Sequence, residues 1–302
     1  MPLRRVMTPA AALAALLTIS AATPRAQAVQ RAMYVSVLNE AGAPVPGLGP
    51  SDFIVREDNV AREVLHVAPA IEPMQIAVLV DNSVAARQYI SDMRNALRDF
   101  VTAMTAASET TGRNQLALIA LADRPTTLAD YTPLRAPLLK GIDRIFAVPQ
   151  SGTLLLEGLI EVSKAFKTKG AERPVIVAIT TEGPELSERF YDLVLEPLLA
   201  SGAAFHSIVV GTPRGGTSDA ERDRGTVLDR GTKETGGRRD NVLTSMSLAS
   251  KLNDVATELT HQYRVTYAHP QSLIPPEHVT VAAARAGMTA RGTLVKEQPR
   301  KP

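Results

Sequence analysis

Gln75-Ile76-Ala77-Val78-Leu79-Val80-Asp81-Asn82-Ser83 is the stretch whose reading decides the fold. Its apolar run, bounded by Pro73 and by Asp-Asn-Ser, predicts a strand buried on both faces, as in the centre of a parallel sheet. In such a sheet, flanked by helices, ligands sit beyond the carboxyl ends of the strands. An acid followed by a hydroxyl at that edge is therefore where a cation or polar ligand would bind.

Working outward, the same pattern repeats. Ile90, Met93, Leu97, Phe100 and Met104 recur at spacings of three and four, which predicts an amphipathic helix over 86–107. Buried-type runs at Gln115–Leu121, Pro174–Ile179 and Ala204–Val210 alternate with helical patterns over 133–146, from Ser151-Gly152-Thr153 onward, and over 186–201. Thr126–Tyr131 is expected as a short edge strand. Strands alternating with helices at crossover spacing give an α/β fold with a doubly wound, mostly parallel sheet. The stretch 211–241, with seven Gly and many charges, is expected to be a mobile surface loop around a short helix at 226–235. A further amphipathic helix is expected over 247–262.

Both ends read as β. Tyr34–Leu38, Asp52–Glu57 and Val60–Val67 precede the central strand. The period returns to two at Tyr263–Tyr267, His278–Ala282 and Met288–Val295. Neither set has enough strands to bury a core alone, so the two are expected to pair in a small β-sandwich with the α/β domain inserted between them. The expected organisation is a leader over 1–28, an N-terminal β segment over 29–72, an α/β domain over 73–262, and a C-terminal β segment and polar tail over 263–302.

The leader has Arg4-Arg5, an Ala-rich apolar stretch and Ala26-Gln27-Ala28, the pattern of a secretory signal peptide cut after Ala28. It places the mature chain outside the inner membrane, secreted or periplasmic, with no integral membrane segment after cleavage. Removing it takes away three Arg and no acid, leaving 30 basic and 31 acidic residues. This near-neutral balance and 4% aromatic content argue against nucleic acid as a partner. The absence of Cys excludes disulfides, thiolate catalysis and Cys-ligated zinc.

The order Asp81-x-Ser83, Ser151-Gly152-Thr153 opening a helix, and an apolar strand ending Thr181-Glu182-Gly183 resembles a von Willebrand factor type A domain. Ala43-Pro44-Val45-Pro46-Gly47-Leu48 before Asp52-Phe53, Thr235-Gly236-Gly237, and Gln262-Tyr263 entering a strand resemble the secreted von Willebrand A-related proteins common in acidobacteria. The resemblance implies a metal-ion-dependent adhesion site with Asp81, Ser83, Thr153 and Glu182 as its residues, Mg²⁺ or Mn²⁺ as its ion, and a protein as partner. Ala85 stands where the family has a second Ser, and Glu182 where it has an Asp. Both changes should weaken Mg²⁺, which demands near-octahedral oxygen geometry. The residues also allow a plainer reading, in which Asp81 and Thr153 cap local structure and Glu182 is a solvated turn residue.

No nucleophile elbow, phosphate loop, dinucleotide fingerprint or His-Glu-x-x-His occurs, and the five His are scattered. The expected function is thus a non-enzymatic binding or adhesion module with an incomplete cation site. The alternative is a structural or assembly subunit whose site is silent. A hydrolase using Asp81 and Glu182 is a minor one.

Overall fold

The computed structural model describes residues 29–106, 113–213, 218–271 and 275–296. The expected leader and the end of the polar tail lie outside the described residues.

In chain order the strands β1 (Val29–Asn39), β2 (Phe53–Glu57), β3 (Val60–Arg62) and β4 (Val64–Pro69) come first. Then come β5 (Gln75–Val80), α1 (Ile90–Ala106), β6 (Gln115–Ala120), β7 (Thr126–Thr132), α2 (Arg135–Asp143), α3 (Leu155–Lys169), β8 (Pro174–Thr181), α4 (Tyr191–Ser201) and β9 (Ala204–Val210). α5 (Asp219–Thr226), α6 (Thr232–Glu234), β10 (Arg239–Val242), α7 (Leu248–Thr260), β11 (Tyr263–His269), β12 (Val279–Ala283) and β13 (Met288–Leu294) complete the described chain.

The central sheet runs β10-β9-β8-β5-β6-β7, parallel except for edge strand β7. The chain winds from β5 through β6 to β7 on one side and from β8 through β9 to β10 on the other. The topological switch point therefore lies between β5 and β8, and a crevice opens beyond their carboxyl ends. Every residue of β8 and β9 is buried, because helices cover both faces. Met93, Leu97, Phe100 and Met104 of α1 pack on one face with Leu252 and Val255 of α7, whereas Leu159 and Phe166 of α3 and Leu195 and Leu198 of α4 pack on the other.

The terminal strands meet. β1 pairs antiparallel with both β11 and β13, β11 pairs with β4, and β12 pairs with β2. Two antiparallel sheets, β13-β1-β11-β4 and β12-β2-β3, enclose a third core around Met33, Val35, Phe53, Val55, Val265 and Tyr267. The quoted flanking residues hold this unit together. Tyr263 packs edge-on against Phe53 with ring centroids 5.8 Å apart and donates through its hydroxyl to the Val45 carbonyl at 2.7 Å, while Gln262 Nε2 donates to Ser36 Oγ at 3.0 Å.

Three local expectations are corrected. Val60–Val67 is two strands in different sheets, since β3 pairs with β2 and β4 with β11. The helix expected from 186 begins at Tyr191, because Glu185 instead forms a parallel bridge with Thr153 and the Leu186 amide donates to the Thr153 carbonyl at 2.8 Å. In the stretch expected to be a loop, residues 219–234 are helical through a π-type turn at Val227–Gly231, and β10 adds an edge strand to β9. Val227, Leu228 and Val242 are buried there, so a few apolar residues outweigh the surrounding glycines and charges.

Candidate functional site

The site begins where β5 runs out. Asp81 is fully buried at the end of that strand. Its Oδ1 accepts the Ser83 amide at 2.8 Å, and its Oδ2 accepts the Thr181 amide at 3.1 Å and the Thr181 hydroxyl at 2.7 Å. The carboxylate thus joins the ends of β5 and β8 across the switch point. Next to it, Asn82 accepts the Leu121 and Ala122 amides at 3.1 and 2.9 Å and donates to the Phe146 carbonyl at 3.0 Å, fixing the loop against the end of β6.

Ser83 begins a 3₁₀ turn over Val84–Tyr89, but its side chain makes no capping bond; Ser83 Oγ is buried without a partner. Thr153 is fully buried between Ala122 and Glu185, and Thr153 Oγ1 is likewise without a partner. Buried hydroxyls are ordinarily hydrogen-bonded, so these two orphans call for an explanation.

Glu182 lies apart from this group. Thr181 turns its side chain onto Asp81, and strand alternation sends the next side chain the other way. The Glu182 amide bonds the Val210 carbonyl at 3.2 Å, and its side chain passes over Gly211, half-buried at the rim of an open groove. That groove, about 670 Å³, is lined by Val84, Ala85, Tyr89, Thr181 and Gly183 among others. Gly183 is required where it stands, since a Cβ there would lie 2.4 Å from the Cβ of Ala85.

The acid that joins the interior group is Glu185, only 4% exposed. Its Oε1 accepts the Ser187 amide at 3.2 Å, and its Oε2 has no partner. Burial pushes this carboxyl up to about 7; the Ser187 hydrogen bond and Arg224 oppose the rise, and the negative charge of Asp81 adds to it. Arg224 of α5 is itself buried and donates from Nη1 to the Gly183 carbonyl at 2.7 Å.

Sequence reading missed Glu185 and Arg224. Glu185 lay in the turn just ahead of the helix expected over 186–201, and Arg224 inside an expected loop. The available signal was Pro184, which disfavours a helical conformation at the residue before it and marks the segment as an extended turn.

Asp81, Ser83, Thr153 and Glu185 are an all-oxygen donor set. Among the described residues no group of three His, Cys, Asp or Glu could hold a metal, so any ion here depends on the hydroxyls. Two carboxylates with two orphan hydroxyls fit a hard divalent cation and do not fit a soft one.

Residues 76–183 match the family model of the von Willebrand factor type A domain. This region is a von Willebrand factor type A domain. No curated protein matches the chain. Among solved structures, a von Willebrand factor type A protein from Catenulispora acidiphila is 11% identical, over 91% of this chain and 74% of that one, with a TM-score of 0.47. Proximal thread matrix protein 1 from the mussel byssus, in a structure described as having a zinc-occupied MIDAS motif, is 16% identical over 68% of this chain, with a TM-score of 0.49. The match spans half the length of the mussel protein. The von Willebrand domain of the pilus tip protein Mfa5 from Porphyromonas gingivalis is 12% identical, over 62% of this chain and 95% of that one, with a TM-score of 0.45. Within the von Willebrand A domain here, the crevice at the switch point is the end of the sheet that carries Asp81.

Proposed function

We propose that the chain is a secreted or periplasmic protein-binding module that engages its partner at the carboxyl edge of the central sheet. Asp81, Ser83, Thr153 and Glu185 would hold a divalent cation there, with Glu182 as an outer carboxylate at the groove rim. When bound, the ion supplies a Lewis-acidic position that a partner's oxygen can complete. The observation that carries this reading is that Ser83, Thr153 and Glu185 each bury an oxygen without a partner, on segments linked to Asp81 by the hydrogen bond from the Ser83 amide and to one another by the Thr153–Glu185 bridge. Val84, Leu186 and Phe190 stand exposed on the loops that bear these residues, apolar surface of the kind a protein partner covers. Export rests on the sequence pattern of residues 1–28. Among the described residues no helix is long and apolar enough to cross a membrane. The β-rich ends and the α/β domain are read as one unit.

A second reading, a structural subunit with a silent site, is favoured by one observation. Three donors already occupy Asp81, so its carboxylate is satisfied without an ion. The unfolding midpoint separates the two readings, since an ion that binds only the native state raises it. Millimolar Mn²⁺ should raise the midpoint of the native protein by several degrees, and Ser83→Ala combined with Thr153→Val should remove the rise. An unchanged native midpoint would leave the silent reading in place.

A further inference from the structure

Arg224 is 6% exposed, and its guanidinium ends on the carbonyl of Gly183, between the two acids Glu182 and Glu185 in sequence. A buried guanidinium ordinarily ends on a carboxylate, where charge-assisted pairing repays its desolvation. Among the described residues none lies within ion-pair distance of this one. Its charge is nevertheless felt at the site, where it opposes the effect of burial on Glu185. The other arginines lining the same side, Arg222 and Arg239, are drawn off to Asp219 and to Asp229 respectively. A cavity of about 250 Å³ is lined in part by Arg224, Glu182 and Glu221. Without an ion, the interior group has two acids, Asp81 and Glu185, and one neighbouring cation.

We propose that Arg224 is a built-in counter-cation of the site: it offsets Asp81 and Glu185 when no ion is bound and repels an entering divalent ion, so that it sets the affinity. This rests on the reading of the Asp81 group as a cation site. The physical basis is Coulombic. A unit charge within several ångströms of a divalent ion, in a setting screened less than bulk water, changes the affinity by about tenfold or more. Arg224 acts through the field and through its hold on the Gly183 loop, and it is a positioning residue, not a ligand.

Calorimetric titration with Mn²⁺ tests this, using the native protein, Arg224→Gln, Arg224→Lys, Arg239→Gln and Asp81→Ala. Arg224→Gln should bind about tenfold more tightly than native. Arg224→Lys, which keeps the charge, and Arg239→Gln, which removes a charge committed to Asp229, should stay within about twofold of native. If Arg224→Gln binds no more tightly while Asp81→Ala abolishes native binding, the counter-cation proposal is wrong and the cation site stands. If Asp81→Ala binds as well as native, or no protein binds Mn²⁺, the cation reading fails and this proposal falls with it. Loss of Arg224 also leaves the two acids uncompensated, so a Gln variant that folds poorly should regain its unfolding midpoint with Mn²⁺ to a greater extent than native does. A destabilised variant that Mn²⁺ fails to rescue overturns the proposal as well.

Discussion

The two edges of the central sheet put their buried polar groups to different use. At the amino edge, ahead of β8, Arg173 is 4% exposed and spends both terminal nitrogens. Nη1 donates to the Glu72 carbonyl at 3.0 Å, and Nη2 donates to the Leu259 carbonyl at 2.8 Å and to Gln262 Oε1 at 2.7 Å. Its guanidinium also stacks on Tyr34, 4.8 Å from the ring centroid. One side chain therefore ties both crossings between the β-sandwich and the α/β domain, before β5 and after α7, to the start of β8. At the carboxyl edge Ser83, Thr153 and Glu185 leave oxygens without partners. Arg173 Nε and Glu72 Oε2 are left without partners at the amino edge too, but the guanidinium's terminal nitrogens are committed to three backbone and side-chain acceptors that hold elements together. The orphan oxygens of the carboxyl edge lie on loops beside an open groove, with capacity left for a ligand.

The sharpest way to break this contrast is at the amino edge. Arg173→Ala should leave the Leu259 and Glu72 carbonyls and the Gln262 amide without their donor, at a cost of about 3–5 kcal/mol, while binding at the far edge is lost only through unfolding. Urea denaturation measures the first and Mn²⁺ titration below the transition the second. A loss under about 1 kcal/mol would mean that the junction does not depend on this residue.

The next effect is pH-dependent and also belongs to the junction. His206 of β9 is fully buried with neither ring nitrogen partnered. Burial drives its pKa from 6.5 down to about 4; Glu258 and Asp240 pull upward, and Arg291 and Arg238 push it further down. The unfolded chain takes up this proton first. The contribution is therefore fully present above about pH 6.5 and is lost as pH falls toward 4, to the extent of roughly 2–3 kcal/mol. Denaturation at pH 7 and pH 4.5 should show that loss, and His206→Gln should flatten this part of the profile. Equal pH dependence in the two proteins would exclude His206 as its source.

A smaller effect is expected at the open edge. Ala85→Ser with Glu182→Asp supplies one more hydroxyl and a shorter acid at the groove, and should tighten Mg²⁺ by a few-fold. Because the Ala85 side chain already crowds Gly183, the gain is limited by how far that loop can give. Calorimetry on the double variant checks it; unchanged affinity would remove position 85 from the ion's surroundings.

Much of this contrast was legible before folding. The run Ile76–Val80 located the central strand and Asp81 its carboxyl end, and Ser83 and Thr153, singled out with it, are both buried. Those are features of local composition and period. Glu185 was not legible, because its role depends on a bridge to Thr153, a contact that no periodicity encodes. Arg224 and β10 were hidden in a stretch whose glycines and charges mimic a loop. Thr235-Gly236-Gly237 was noticed without a reason. A Cβ at Gly236 would lie 2.2 Å from the Gly292 carbonyl oxygen and one at Gly237 1.9 Å from that of Phe205, so both glycines let β13 and β9 approach closely.

The central claim is that the carboxyl edge holds a cation, and a crystal soaked in Mn²⁺ tests it most directly. The account predicts an anomalous peak within coordination distance of Asp81, Ser83 and Thr153, with Glu185 turned toward it. A map with no peak there, and with Asp81 still bonded as in the ion-free protein, would contradict it.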